Sequence, residues 1–157
     1  MVFRKDQSVS CGGGLAVYVN STIRCKSLSQ FANPGKVSEC LWLQLRPCQL
    51  PRSVLSVLLA VIYHPPYATT QDNNDLYNPV QATVDLYSLE HPECLICVVG
   101  DFNPNSTNIS PAPFKRMCGL TQIVKVFTRD TGILDWCLTN SPKAFSWLEA
   151  VTKNRGQ

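Results

Sequence analysis

Asp101 and Asn103 stand two positions apart, directly after six consecutive apolar residues, Cys94 to Val99, and a glycine, Gly100. An apolar run of that length closed by a turn signal reads as a buried strand. In open α/β sheets, ligands bind beyond the carboxyl ends of such strands. A carboxylate placed there can orient or deprotonate a water, and a neighbouring amide can hold a phosphate oxygen or that same water. The same Gly-Asp-x-Asn pattern also serves as an Asx-type turn that caps a strand.

Five further segments accompany this turn. Upstream stand Gly12 to Val19, Glu39-Cys40-Leu41-Trp42-Leu43 and Val61-Ile62-Tyr63-His64-Pro65-Pro66. Downstream stand Phe127-Thr128-Arg129 and Ile133-Leu134-Asp135-Trp136 through Asn140. In this order and spacing the segments resemble the endonuclease/exonuclease/phosphatase superfamily, and within it the apurinic-endonuclease-like nuclease domain of non-LTR (LINE-type) retrotransposons. The resemblance spans about residues 3–142, leaving 143–157 as a tail without a clear motif.

The resemblance implies a two-sheet α/β sandwich (DNase I-like), incomplete, with helices outside. It also implies phosphodiester hydrolysis with Mg²⁺ or Mn²⁺, an aspartate-positioned water and a histidine beside the phosphate. On that footing Asp101 handles the water and gives the metal one weak ligand. Asn103 binds phosphate or water, Tyr63 turns its hydroxyl to the phosphate, and Asp135 orients the histidine. Arg129 and His64 are expected to touch DNA. Tyr63 could instead be a half-buried aromatic and Asp135 a strand cap, while Glu39, before the Trp-containing strand, reads as structural. Members of the family open with two strands that supply an asparagine and a metal-binding glutamate, and close on a Ser-Asp-His turn. Neither piece stands in these residues, so the expectation is a nuclease fragment truncated at both ends and catalytically inactive. The alternatives are a non-catalytic remnant that binds nucleic acid or protein and, further off, a phosphatase of the same superfamily.

Several elements must position these residues. Strands are expected at Leu15–Val19, Cys40–Leu45, Val54–Tyr63, Cys94–Val99, near Ile123–Phe127 and at Ile133–Leu138. Pro65-Pro66 ends the third, because proline has no donor for a ladder. Asn78 as N-cap with Pro79 at the first helical position predicts a helix. Its apolar face is Val80, Thr83, Val84 and Tyr87, and His91-Pro92 ends it. A loop through Pro113 and a short helix over Phe114 to Cys118, stopped by Gly119, follow the Asp101 strand.

Composition narrows the classes. Hydrophobic content of 45% is ordinary for a globular chain, and 157 residues fit one domain. The longest apolar stretch, Val54 to Tyr63, is half the ~20 residues a bilayer span needs. Met1 to Asp6 is charged at once and lacks a signal-peptide core, so an intracellular protein, nuclear or cytoplasmic, is expected. Eight cysteines then read as reduced thiols. Cys94 and Cys97 lie three apart on a strand, point to opposite faces and cannot readily share a metal. The net charge, 14 − 11 = +3, predicts only weak, sequence-independent DNA binding. Uncovered sheet edges predict self-association.

Overall fold

The computed structural model describes residues 1–6, 14–31, 34–103, 119–129 and 132–145. Strands β1 (Val2–Asp6) and β2 (Gly14–Tyr18) form a two-stranded antiparallel sheet. The larger sheet takes β3 (Arg24–Ser27), β4 (Glu39–Arg46), β5 (Ser56–Tyr63), β6 (Cys94–Asp101), β7 (Thr121–Gln122) and β8 (Asp135–Thr139). Its spatial order is β3-β4-β5-β6-β8-β7. Only β5 and β6 are parallel, and helix α1 (Thr70–Glu90) makes the crossover between them.

Period-two alternation decides which face each strand gives to the helix. Along β5, Ser56, Leu58, Ala60 and Ile62 are buried, while Val57, Leu59, Val61 and Tyr63 are half-buried on the other face. Leu76, Val80, Val84 and Tyr87 recur at helical spacing on α1. They join one cluster with Cys40, Trp42, Leu58, Ala60, Ile62, Ile96, Val98, Trp136 and Leu138. On the opposite face, Leu41, Leu43 and Val19 form a second cluster with Phe3, Leu15 and Val17 of the small sheet. The small sheet therefore covers the β4 side of that face.

The helix begins nine residues earlier than Asn78-Pro79 suggests. Thr69 is the N-cap: its hydroxyl accepts from the Asp72 amide, and the Asp72 carboxylate accepts from the Thr69 amide. Pro79 lies inside the helix. An interior proline costs ~3 kcal/mol through its lost hydrogen bond and ring crowding. Each large apolar side chain buried from this helix contributes ~1.5–3 kcal/mol, so four of them outweigh the proline.

Other expectations shift as well. The strand expected at Ile123–Phe127 is only Thr121–Gln122; the chain then runs along the edge with a single bond from Ile123 N–H to the Cys137 carbonyl at 2.9 Å. Strands β1 and β3, not expected from the sequence, are five and four residues long and rich in charged and polar residues, so neither carries a strong apolar pattern. His91 closes α1 as expected, its N–H donating to the Tyr87 carbonyl and its ring 4.4 Å from that of Tyr87. The expected loop through Pro113, the short helix over Phe114 to Cys118 and most of the tail lie outside the described residues. No helix among the described residues is long and apolar enough to cross a membrane.

Candidate active site

Four polar side chains fall into a single row across four strands. Glu39 on β4 is the ladder partner of Tyr63 on β5, Tyr63 that of Asp101 on β6, and Asp101 that of Asp135 on β8. Residues paired across a ladder share a face. Here it is the face away from α1, at the carboxyl ends of the parallel pair, where α/β sheets bind ligands. The structure thus brings Tyr63, Asp101 and Asp135 together with Glu39, which the sequence reading set aside as structural. Glu39 is buried, Tyr63 and Asp101 are half-buried, and Asp135 is exposed.

The turn after β6 is built to present Asp101. Gly100 has φ +147°, and a Cβ there would lie 1.8 Å from the Ile62 carbonyl oxygen, so only glycine lets β5 and β6 approach. Phe102 is fully buried, stacked on Trp136 at 4.6 Å, and its N–H donates to the Leu134 carbonyl. With Phe102 pinned toward the helix, Asp101 must face the other way. Asn103 takes the left-handed conformation, φ +42°, and its Nδ2 donates to the His64 carbonyl at 2.8 Å. That amide is therefore engaged in closing the mouth rather than turned outward to a phosphate.

Asp101 Oδ1 is enclosed and accepts no hydrogen bond from the described residues. The Tyr63 phenol is pushed above its ordinary 10 by burial first, then by the charges of Asp101, Tyr67 and Glu39. It stays protonated at neutral pH and is a donor. A donor hydroxyl beside an acceptor carboxylate can hold a phosphate oxygen and a water in one place.

Thr128 holds the far end of the row. Its Oγ1 accepts from the N–H groups of Leu134 and Asp135, at 2.9 and 3.1 Å. Arg129, the next residue, is exposed and bridged to Gly132.

His64, expected to touch DNA, does not reach the surface. Its ring is 1% exposed, with Nδ1 at 2.6 Å from the Ser38 hydroxyl and Nε2 at 2.7 Å from Asn73 Oδ1. Direct DNA contact by this ring is corrected to an internal role. Ser38 and Asn73 escaped the sequence reading because nothing in a lone serine before β4, or an asparagine in a helix, signals a shared partner.

A divalent cation is implied by the resemblance, and the residues present do not make a full site for one. Among the described residues no three His, Cys, Asp or Glu side chains stand close enough to hold a metal ion. Mg²⁺ prefers an octahedral shell of oxygens anchored by carboxylates. Asp101 alone would be a weak anchor.

The two sheets and the crossover helix form an incomplete DNase I-like fold. Solved structures share it: a humanised zebrafish (D. rerio) TDP2 carrying 14 mutations, at 11% identity and TM-score 0.53, and a truncated Caenorhabditis elegans TDP2, at 12% and 0.55. The alignments cover 93% and 88% of this chain but only 60% and 61% of those chains. The chain thus spans about three-fifths of the length of the structures it resembles. No protein-family model and no curated protein matches the sequence.

Proposed function

We propose that this chain carries the phosphodiester-facing part of a DNA endonuclease domain of the apurinic-endonuclease-like type found in non-LTR retrotransposons, and that by itself it holds a phosphodiester without cleaving it. The observation that supports the reading is the single row Glu39, Tyr63, Asp101, Asp135 on one sheet face. In this reading the Tyr63 hydroxyl donates to a non-bridging phosphate oxygen. The enclosed Asp101 carboxylate accepts a hydrogen bond from a water beside that phosphate, and the exposed Arg129 pairs with a flanking phosphate.

The inactive reading rests on where the imidazoles stand. The sequence has two histidines. His64 has both ring nitrogens engaged inside the protein, and His91 stacks on Tyr87 at the end of α1. Neither ring is placed for Asp135 to orient. Groups that act as a unit lose most of their rate when one is missing.

A nicking assay on supercoiled and abasic-site DNA with Mg²⁺ or Mn²⁺, run beside Asp101→Ala, tests this directly. The expected result is no cleavage above the control, with weak duplex binding that Tyr63→Phe and Arg129→Gln reduce further. Metal-dependent nicking abolished by Asp101→Ala would overturn the inactive reading. Duplex binding indifferent to both substitutions would overturn the phosphodiester reading.

A further inference from the structure

We infer that His64 is the positioning residue of this mouth: one buried imidazole ties the approach to β4 and helix α1 to the end of β5, while its main chain holds the Asp101–Asn103 turn. The side chain bridges Ser38, which immediately precedes Glu39, and Asn73 in the first turns of α1. The main chain extends the parallel ladder by one more bond, His64 N–H to the Asp101 carbonyl at 2.8 Å. The His64 carbonyl accepts from Asn103 Nδ2 at 2.8 Å. Four bonds from one residue thus reach Ser38 beside Glu39, Asn73 of α1, Asp101 and Asn103, and Tyr63 is its covalent neighbour.

The chemistry assigns the proton. Asn73 Oδ1 only accepts, so Nε2 carries the hydrogen, and Nδ1 accepts from the Ser38 hydroxyl. A Ser-His-Asn chain of this kind has the order of a nucleophile relay. It is not one here, because Ser38 is 6% exposed and His64 1%, and no substrate can approach the hydroxyl. Burying three polar groups is tolerable only when each is satisfied, and that requirement fixes their spacing. A sheet ladder sets the separation of Glu39 from Tyr63. It does not set the angle at which the chain leaves β5 and β6, and the clamp does.

As a statement about the proposed phosphodiester site this inference rests on that reading, but its test does not use DNA. The set is His64→Phe and the triple variant Ser38→Ala, His64→Phe, Asn73→Leu. The single variant leaves two buried polar groups without their ring partner and should lose stability. Replacing all the partners with apolar groups is close to neutral, so the triple variant should melt near the wild type. Amide exchange by NMR then separates the roles. In the triple variant the main-chain amide at position 64, the Phe102 amide and the Asn103 side-chain amide should exchange about tenfold faster or more, while Leu58 and Val98 in mid-sheet keep their protection. Unchanged exchange at the three mouth groups in a stable triple variant would overturn the inference. Should that variant not fold, the ring-nitrogen spectrum of the wild type decides. A single Nε2–H tautomer supports the clamp, and averaging between tautomers refutes it. Loss of DNA binding in the wild type with this ring signature intact would instead count against the function alone.

Discussion

At the scale of single residues, steric exclusion and desolvation dominate. Among the described glycines, Gly100 tolerates a side chain least, since its Cβ would overlap the Ile62 carbonyl and its φ is +147°. Gly100→Ala is expected to destabilise by at least ~3 kcal/mol, measured by urea unfolding. A loss below ~1 kcal/mol would show that the two strands can separate at no great cost. His64 makes a second case. Burial pushes its imidazole below the ordinary 6.5, against the smaller opposite effects of the Asn73 bond and the Asp72 and Asp101 charges. A depressed folded-state value means the unfolded chain binds more protons in between. Its stabilisation is present above pH 6.5 and is lost as pH falls through the folded value. The wild-type melting temperature should therefore drop on acidification through that window more than that of the Ser38→Ala, His64→Phe, Asn73→Leu variant. Parallel profiles would rule the ring out as the source.

At the scale of elements, α1 shows how a local signal can mislead. Asn78-Pro79 has the form of a helix start, yet Thr69 and Asp72 already form a capping box ten residues upstream of Pro79. Thr69→Ala should cost about 1 kcal/mol in thermal or chemical unfolding. An unchanged midpoint would mean that packing alone fixes where the helix begins. On the sheet, side chains finish what the ladders leave open. Asn140 Oδ1 accepts from the Ile96 N–H, and its Nδ2 donates to the Cys94 carbonyl, so one side chain imitates a further residue of β8. Cys97, on the face away from the helix, lies 3.7 Å sulfur to sulfur from Cys137 on β8, rather than beside Cys94. Hydrogen bonding to Cys137 and burial raise the Cys97 thiol and the shared bond lowers that of Cys137, so Cys137 is the more readily ionised of the two.

At the scale of the whole molecule, coverage is uneven. Among the described residues, the helix face of the large sheet carries the larger cluster, and the small sheet packs on β4 and part of β5 on the other face. Edge strands β3 and β7 are four and two residues long, which shortens the open ladder without removing it. Tyr18, Tyr67, Leu55, Leu89 and Phe127 are each more than half exposed. The chain expressed alone is expected to self-associate with rising concentration in sedimentation velocity. A single monomer species over a wide concentration range, with a cooperative melt at high temperature, would refute this.

The sequence by itself determined the order of the main strands and the glycine turn after the Cys94–Val99 run, and its resemblance to a nuclease family put forward Tyr63, Asp101 and Asp135 as candidates. The strands and the turn are local: alternation, apolar run length and the unique freedom of glycine act over a few residues and need no partner. It could not say that Glu39 stands in the same row, because that depends on β4 pairing antiparallel to β5 in one register. Nor could it place His64, which sits beside Tyr63 in the chain and looks exposed next to two prolines. Only the packing of α1 against the sheet brings Asn73 and Ser38 to either side of that ring. A register and a buried hydrogen-bond chain are properties of pairs and triples of residues far apart in sequence, and these are settled when the chain closes on itself.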